Sequence, residues 1–261
     1  MKIAVIGAGA MGGALVEGFI KSNAYKAEDI CVSDPSAAVL NKFAAMGAAV
    51  TSDNILAIAD AQVVMIVVKP WLVEGVVKGI ADALKPSQNI VVVAAGVKST
   101  DILSWLPNGG KEAKLFLAIP NIAAAEGCSM TFLVPCAGVA QQHTDLVTEV
   151  FNTVGNTIIT DEKHLAAGTT LASCGIAYAM RYIRAASEGG VELGFKADQA
   201  KEIVMQTVLG AVKLLQASGL HPEAAIDLVT TPGGVTIKGL NEMEHAGFTS
   251  AVIRGLKAGA K

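Results

Sequence analysis

"AVIGAGAMGGAL", residues 4–15, decides the fold of the N-terminal half of the chain. Its apolar start predicts a buried strand, and the glycines that follow have G-x-G-x-x-G spacing ahead of a helical pattern. Gly7 permits the tight turn, Gly9 lets a pyrophosphate approach the backbone, and Gly12 lets helix and strand pack closely. The stretch therefore predicts a dinucleotide-binding βαβ unit, although a glycine turn in any α/β fold has a similar pattern.

Beyond this stretch, Val/Ile-rich runs alternate with helix-length segments as far as residue 118. Runs too continuous for half-exposed strands predict a doubly wound, Rossmann-type, mainly parallel sheet with helices on both faces. The predicted strands are KIAVIG (2–7), DICVSD (29–34), AAV (48–50), VVMIVV (63–68), NIVVVAA (89–95), KLFLAI (114–119), SMTFLV (129–134) and GNTIIT (155–160), with a helix at about 139–152.

After Asp161 the strand signal stops, and helices are predicted at 162–193, 198–217 and 235–246. Asp198 is the expected N-cap of the second of these helices. We therefore predict an α/β protein of two domains, a dinucleotide-binding Rossmann domain at 1–160 and an all-α domain at 161–261.

Composition restricts the partner and the location. The chain has 261 residues, a net charge of -3 and no Lys/Arg cluster, which disfavours nucleic acid or an anionic membrane as a partner and favours a small molecule. Its longest apolar runs are shorter than the roughly 18 residues of a membrane span. The first strand begins at Lys2, so we expect no leader peptide and a cytoplasmic protein. Without CxxC spacing, we expect buried thiols rather than disulfides or a metal site at Cys31, Cys128, Cys136 and Cys174.

Asp34 ends the second predicted strand, about 20 residues beyond the glycine loop, where an acid can accept hydrogen bonds from the adenosine ribose. Its charge would repel a 2'-phosphate, and the segment VSDPSAAV (32–39) contains no arginine. The sequence therefore predicts that NADH binds at least as well as NADPH. The alternative is that Asp34 is a turn or helix-cap residue before Pro35.

Five motifs together resemble the pyrroline-5-carboxylate reductases, the last enzymes of proline biosynthesis, over essentially the whole chain. They are GAGAMGGA (7–14), VVKP (67–70), AAGV (94–97), IPN (119–121) and VTTPGGVTIKGL (229–240), of which the last is the most specific. The resemblance implies reduction of the cyclic imine 1-pyrroline-5-carboxylate to L-proline by NADPH or NADH. It also implies that the helical domain at 161–261 binds substrate and dimerises, with active sites between one subunit's nucleotide domain and helices of the dimer, and that five dimers can form a decamer.

Site residues follow from the glycine spacing and, by position, from the resemblance. The resemblance places Ala10 and Met11 at the pyrophosphate, and Ala95 and Gly96 near the nicotinamide. The predicted cofactor-binding residues are Gly7, Gly9, Ala10, Met11, Gly12, Ser33, Asp34, Asn54, Val68, Lys69, Pro70, Ala95, Gly96 and Asn121. The two tryptophans, Trp71 and Trp105, are expected to be packing residues.

The late motif predicts a substrate site without a titratable side chain. A turn at a helix N-terminus offers unpaired N–H groups and the positive end of the dipole to a carboxylate, and glycine exposes that backbone. The predicted substrate-binding residues are Thr231, Gly233, Gly234, Val235 and Thr236, with Thr236 as the catalytic residue beside the ring nitrogen. Hydride addition to a protonated imine neutralises a cation, so a strong general acid is dispensable. The alternative is a Thr-capped helix after a Pro-Gly turn.

Two departures from the family pattern leave other functions open. The family commonly has Pro-Asn-Thr-Pro at positions 120–123 and Ser-Gly-Ser-Gly-Pro-Ala-Tyr at positions 172–178, where this chain has PNIA and ASCGIAY. We expect altered shape or affinity rather than another reaction. The alternatives are a non-catalytic dinucleotide-binding protein and a hydroxyacid or phosphogluconate-type dehydrogenase. Such dehydrogenases use a Lys and a nearby Asn on the first long C-terminal helix, yet residues 165–193 contain neither.

Overall fold

A computed structural model describes residues 1–260, which divide into two compact units. The first unit is Met1–Ser173, and the second begins at Cys174. None of the helices within residues 1–260 is long and apolar enough to cross a membrane.

The first unit is built on one eight-stranded sheet whose order is β3-β2-β1-β4-β5-β6-β7-β8. The neighbouring strands pair in parallel except β6 and β7, which are antiparallel. This arrangement confirms the prediction of a doubly wound, mainly parallel sheet. The strands are β1 Ile3–Ile6, β2 Ile30–Ser33, β3 Ala49–Thr51, β4 Val63–Ile66, β5 Asn89–Val92, β6 Lys114–Ile119, β7 Ser129–Pro135 and β8 Gly155–Ile159.

Helices cover both faces of the sheet, which explains why its central strands have no polar alternation. In β1 all four residues are buried: Ile3 and Val5 belong to one core cluster, and Ala4 and Ile6 to a second. The α-helices of this unit are α1 Ala10–Lys21, α2 Ala37–Ala45, α3 Asn54–Ile58, α4 Pro70–Ile80, α5 Ser99–Ser104, α6 Gln141–Asn152 and α7 Leu165–Gly168. They are accompanied by short 3-10 turns, of which Ile122–Glu126 and Glu162–His164 matter for the site.

Two glycines let α1 pack closely against the backbone of other segments, one in its first half and one in its second half. A Cβ at Gly12 would lie 2.0 Å from the carbonyl oxygen of Gly7, and one at Gly18 would lie 2.1 Å from that of Ala124. Near the C-terminus of α1, Lys21 Nζ donates to Ala125 O at 2.9 Å. The helix therefore contacts the glycine loop at its start and the Ile122–Glu126 turn at its end.

The sheet ends at Ile159, close to the boundary predicted at residue 160, yet the chain as far as Ser173 packs with the first unit. Leu165 lies against the second core cluster, and a Cβ at Gly168 would lie 2.7 Å from the ring of Phe132. These contacts are made by residues far apart in the sequence, so the end of the strand pattern does not mark the end of the compact unit.

The second unit is helical, as the fold prediction states. Its helices are α8 Gly175–Glu192, α9 Ala197–Ser218, α10 Pro222–Asp227, α11 Val235–His245 and α12 Phe248–Gly259. Many of its apolar side chains lie exposed in the single chain, with Val235 85% and Leu193 84% exposed. Burial of such a surface requires a partner.

The segment predicted as a helix at 162–193 is helical from Glu162 to Glu192, but it consists of a 3-10 turn, the short α7, a π-helix at Thr169–Cys174 and then α8. Other local predictions are wrong. Lys196 is the N-cap of α9, and Asp198 lies in its first turn. Trp71 is 76% exposed at the start of α4, whereas Trp105 packs against the core. Cys128 is exposed because it follows the surface turn ending at Gly127, whereas Cys136 is buried and the other two cysteines are half-buried.

Candidate active site

A cleft of about 580 Å³ lies where β1, β4, β5 and β6 end. The chain order of the sheet reverses between β1 and β4, and such a switch point is where open α/β sheets bind ligands. The cleft is lined by Gly7, Gly9, Ala10, Met11, Asp34, Pro35, Val67, Val68, Lys69, Pro70, Leu72, Val93, Ala94, Ala95, Ile119, Pro120, Ile122, Thr169 and Ser173.

At the glycine loop the start of α1 opens onto the cleft. Gly7 has a φ of +88°, and a Cβ there would lie 2.5 Å from Val67 O, so only glycine fits this turn. Gly9 is the N-cap of α1, no side chain caps the helix, and the first turn carries no acid. Because the first N–H groups of a helix have no intrahelical partner and the dipole is positive there, this loop is suited to a pyrophosphate.

Asp34 both lines the cleft and holds the glycine loop. One carboxylate oxygen accepts the N–H of Ala8 at 2.9 Å, and the other accepts the N–H of Ser36 at 2.9 Å. Asp34 is therefore a turn residue that also lines the cleft, so its two predicted roles, as a turn residue and as an acceptor for the ribose, do not exclude each other. Ser33, just before it, is buried, and its hydroxyl donates to Asn54 Oδ1 at 2.7 Å.

Nine of the residues predicted to bind the cofactor line the cleft: Gly7, Gly9, Ala10, Met11, Asp34, Val68, Lys69, Pro70 and Ala95. Gly12, Ser33, Asn54, Gly96 and Asn121 do not. Gly12 packs on Gly7, and Ser33 pairs with Asn54. The buried Asn121 accepts the Ala123 N–H at 3.0 Å and donates to Ala172 O at 3.4 Å, so its amide holds two segments beside the cleft.

Two hydroxyl residues in the cleft were missed by the sequence reasoning. Thr169 and Ser173 lie one turn apart in the π-helix and line the cleft that Ala95 and Ile122 also line. Thr169 Oγ1 donates to Leu165 O at 2.7 Å, whereas the Ser173 hydroxyl has no hydrogen-bond partner within residues 1–260. A single-turn π-helix often marks a functional site, but its residue pattern is that of an ordinary helix.

The late motif forms the start of α11 in the second unit. Gly233 has a φ of +71°, and the Gly234 N–H donates to Thr231 O at 3.0 Å. A Cβ at Gly234 would lie 2.5 Å from Thr231 Oγ1, so a larger residue here would displace the Thr231 side chain. Gly234 is the N-cap, and no side chain caps the helix, so the alternative of a Thr-capped helix is wrong. Val235 and Thr236 are exposed in its first turn.

The Gly234 hydrogen bond changes which backbone groups can bind an anion. The Gly234 N–H is used within the turn, so it is not free to bind an anion, and the residue leaves space because it has no side chain. The N–H groups of the first turn of α11 remain for a ligand. Within residues 1–260 no group of three or more His, Cys, Asp or Glu side chains has the arrangement of a metal site.

Comparison with known proteins relates both units to one family. Residues 162–261 match the family described as pyrroline-5-carboxylate reductase dimerisation, and residues 2–96 match NADP oxidoreductase, coenzyme F420-dependent. Pyrroline-5-carboxylate reductase 2 of Dictyostelium discoideum is 32% identical, with 100% of this chain and 91% of that protein covered. Reductase 1 of that organism is 34% identical over 97% of this chain, which spans 48% of its length.

A solved structure agrees over the same length. The Plasmodium falciparum pyrroline carboxylate reductase with NADP bound has a TM-score of 0.90 and 25% sequence identity, covering 100% of this chain and 95% of that one. The matches therefore extend over the strands, the helical unit and the late motif. The chain belongs to the pyrroline-5-carboxylate reductase family of NAD(P)H-dependent oxidoreductases.

Proposed function

We propose that this chain reduces 1-pyrroline-5-carboxylate to L-proline with two uncapped helix N-termini as its anion sites. The start of α1 holds the coenzyme pyrophosphate, and the start of α11 holds the substrate carboxylate. The observation that carries this proposal is that each helix begins at a glycine of a family motif and that no side chain caps its N-terminus. Such N-termini bind anions through backbone N–H groups and the helix dipole.

The reaction needs orientation more than acid–base chemistry. A reduced nicotinamide supplies the hydride, and the protonated imine that receives it loses its positive charge and becomes an amine. No negative oxygen develops, so the Thr236 hydroxyl is sufficient to hydrogen-bond the ring nitrogen and fix the ring. Thr231 adds a second hydroxyl to the site, and Gly233 leaves the backbone accessible because it has no side chain. Val235 offers its backbone N–H in the first turn of α11. Thr236 is the residue we assign as catalytic.

The cleft supports a division of the coenzyme along its length. We assign Asp34 and Lys69, which line the cleft, to the adenosine end, and Ala95 and Ile122, which also line it, to the nicotinamide end. The free hydroxyl of Ser173 is available there to the nicotinamide carboxamide, which carries both a donor and an acceptor. Ser33, Asn54 and Asn121 support the walls of the cleft through their hydrogen bonds.

Coenzyme oxidation with 1-pyrroline-5-carboxylate tests this function directly. We expect the purified chain to oxidise NADH or NADPH when the imine is added, with L-proline formed in equal amount. A matched reaction measures NAD(P)⁺ reduction with a panel of hydroxyacids, for which no turnover is expected. Turnover of a hydroxyacid alone would support a dehydrogenase, and coenzyme binding without any turnover would support a non-catalytic protein.

Asp34 should set the coenzyme preference. We expect kcat/KM with NADH to be at least equal to that with NADPH, because the carboxylate repels a 2'-phosphate. Asp34→Asn should raise the NADPH:NADH ratio about tenfold, since it removes the charge, while its amide oxygen keeps one of the two backbone N–H bonds that Asp34 accepts. Steady-state kinetics with both coenzymes measures the ratio. A strong NADPH preference in the unaltered chain would show that Asp34 does not control the choice.

We further propose that the chain is a cytoplasmic homodimer, with a decamer of five dimers as the larger assembly. The dimerisation match and the exposed apolar side chains of the second unit support a partner of the same kind. Light scattering after size-exclusion chromatography distinguishes the masses of a monomer, a dimer and a decamer. A monomer at micromolar concentration would contradict the dimer.

A further inference from the structure

We propose that Glu162 is a positioning residue for hydride transfer, because its carboxylate joins the two segments that form the nicotinamide end of the cleft. One segment is the loop 94–97 with the start of α5. The other is the chain from Glu162 to Ser173. The inference rests on the proposed function, in which this end of the cleft holds the nicotinamide.

The contact consists of two hydrogen bonds across 63 positions of sequence. Glu162 Oε1 accepts the N–H of Ser99 at 2.9 Å, and Oε2 accepts the hydroxyl of Ser99 at 2.5 Å. Ser99 is the first residue of α5, and its N-cap Lys98 provides no side-chain hydrogen bond. Glu162 therefore satisfies a helix N–H that would otherwise lack a partner, and it does so from another segment.

Both sides of this contact lead to the cleft within a few residues. Ala94 and Ala95 line the cleft a few residues before Ser99. The loop from Ala95 to Ser99 turns at Gly96, whose φ is +78°. Beyond Glu162, the chain continues through α7 into the π-helix, where Thr169 and Ser173 line the same cleft. The Ser99–Glu162 contact is thus a short polar link between the two walls.

The surroundings make this link a hydrogen-bonded one rather than an ion pair. The basic side chains next in sequence contact another carboxylate, since Lys163 Nζ lies 3.4 Å from Asp161 and His164 Nδ1 lies 2.6 Å from the same residue. Cys136 is buried beside Ser99 and Glu162, and burial together with the Glu162 charge raises the pKa of its thiol to about 12. The thiol therefore stays neutral, and the carboxylate is held by donors from Ser99.

Glu162→Gln, Ser99→Ala and the double variant test the link. Glu162→Gln keeps an oxygen for the Ser99 N–H but replaces the charged acceptor of the Ser99 hydroxyl by a neutral amide, and Ser99→Ala removes that hydroxyl. Each single change therefore weakens the same hydroxyl–carboxylate bond, and kcat for imine reduction should fall about tenfold, because a small misplacement of the reacting groups is costly. The primary isotope effect measured with C4-deuterated coenzyme should rise as hydride transfer becomes slower. Calorimetry should show a Kd for NADH weaker by about threefold. The double variant should be no worse than the worse single, since both changes break one interaction.

Two matched variants separate positioning from general stability. Asp161→Asn weakens the cap of the same 162–164 turn, in which Asp161 Oδ1 accepts the His164 N–H at 3.2 Å, and it should leave kcat and the isotope effect unchanged. Ser99→Thr retains the hydroxyl and should restore activity relative to Ser99→Ala. Thermal unfolding checks that all variants fold.

Equal losses in Asp161→Asn and Glu162→Gln would overturn the inference, as would additive losses in the double variant. Unchanged kcat and Kd in both single variants would do the same. If the unaltered chain fails to reduce the imine, the proposed function fails alone. The calorimetric Kd values then decide whether the Ser99–Glu162 contact shapes the coenzyme site.

Discussion

Gly12→Ala should destabilise the first unit severely, whereas Gly9→Ala should leave its stability unchanged and weaken coenzyme binding. A Cβ at Gly12 would lie 2.0 Å from Gly7 O and 3.0 Å from its carbonyl carbon, so α1 or the loop must move. At Gly9 no atom lies within 4 Å of an added Cβ, and its φ of -65° suits alanine. Gly12 is therefore needed for the packing of α1 on the glycine loop, whereas Gly9 is needed for the approach of the coenzyme.

The expected cost of Gly12→Ala is about 3 kcal/mol or more, the upper range for forced overpacking, because the clash is with backbone. For a unit of this size such a loss lowers the unfolding midpoint by about 10 °C. Calorimetric unfolding and NADH titration should be measured on both variants. A Gly12→Ala protein with an unaltered midpoint, or a Gly9→Ala protein that is equally destabilised, would contradict this assignment.

Thr236→Ala should lower kcat/KM for the imine about 10- to 100-fold while coenzyme Kd changes little. The loss corresponds to one hydrogen bond to a charged group, which is worth about 1.5–3 kcal/mol. Within residues 1–260 the Thr236 hydroxyl has no hydrogen-bond partner, so its removal disrupts no internal contact. Surface changes of this kind usually alter stability by less than about 0.5 kcal/mol.

Thr236→Ser is the control for that change, because it keeps the hydroxyl and removes only a methyl group. It should retain most of the activity, and steady-state kinetics with varied imine concentration gives kcat and KM for both variants. Unchanged imine turnover in Thr236→Ala would refute the assigned role. A parallel fall in coenzyme affinity would indicate that the start of α11 has been disturbed rather than the contact to the ring nitrogen.

The fold of the first unit could be predicted because its strands are encoded locally. Each apolar run is bounded by Gly, Asp or Pro, and a strand buried on both faces cannot alternate polar and apolar residues. The antiparallel pairing of β6 with β7 was not predicted, because strand direction depends on the connection rather than on the residues of the strand. The helices α10 and α12 were also missed: α10 has only six residues, whereas α12 has twelve but begins without a capping side chain or an acid in its first turn.

The cleft could be predicted in part, for a similar reason. Gly7 and Gly9 are recognisable from spacing along a single turn, whereas Thr169 and Ser173 line the cleft because their segment packs with the first unit, far from the glycine loop in sequence. Asn121 was placed at the coenzyme by position, but its amide is committed to Ala123 and Ala172. The Ser99–Glu162 contact joins residues from separate segments, so no local pattern could reveal it.

The close approach of Gly18 to Ala124 has a consequence for ligand size. Helix α1 spans about 18 Å at 1.5 Å per residue and is gripped at both ends, by the glycine loop and by the turn that begins at Ile122. The glycine loop and the turn that carries the cleft residue Ile122 are thereby attached to one stiff helix. An insertion in α1 would therefore change the distance between the glycine loop and Ile122, and with it the length of ligand that can contact both.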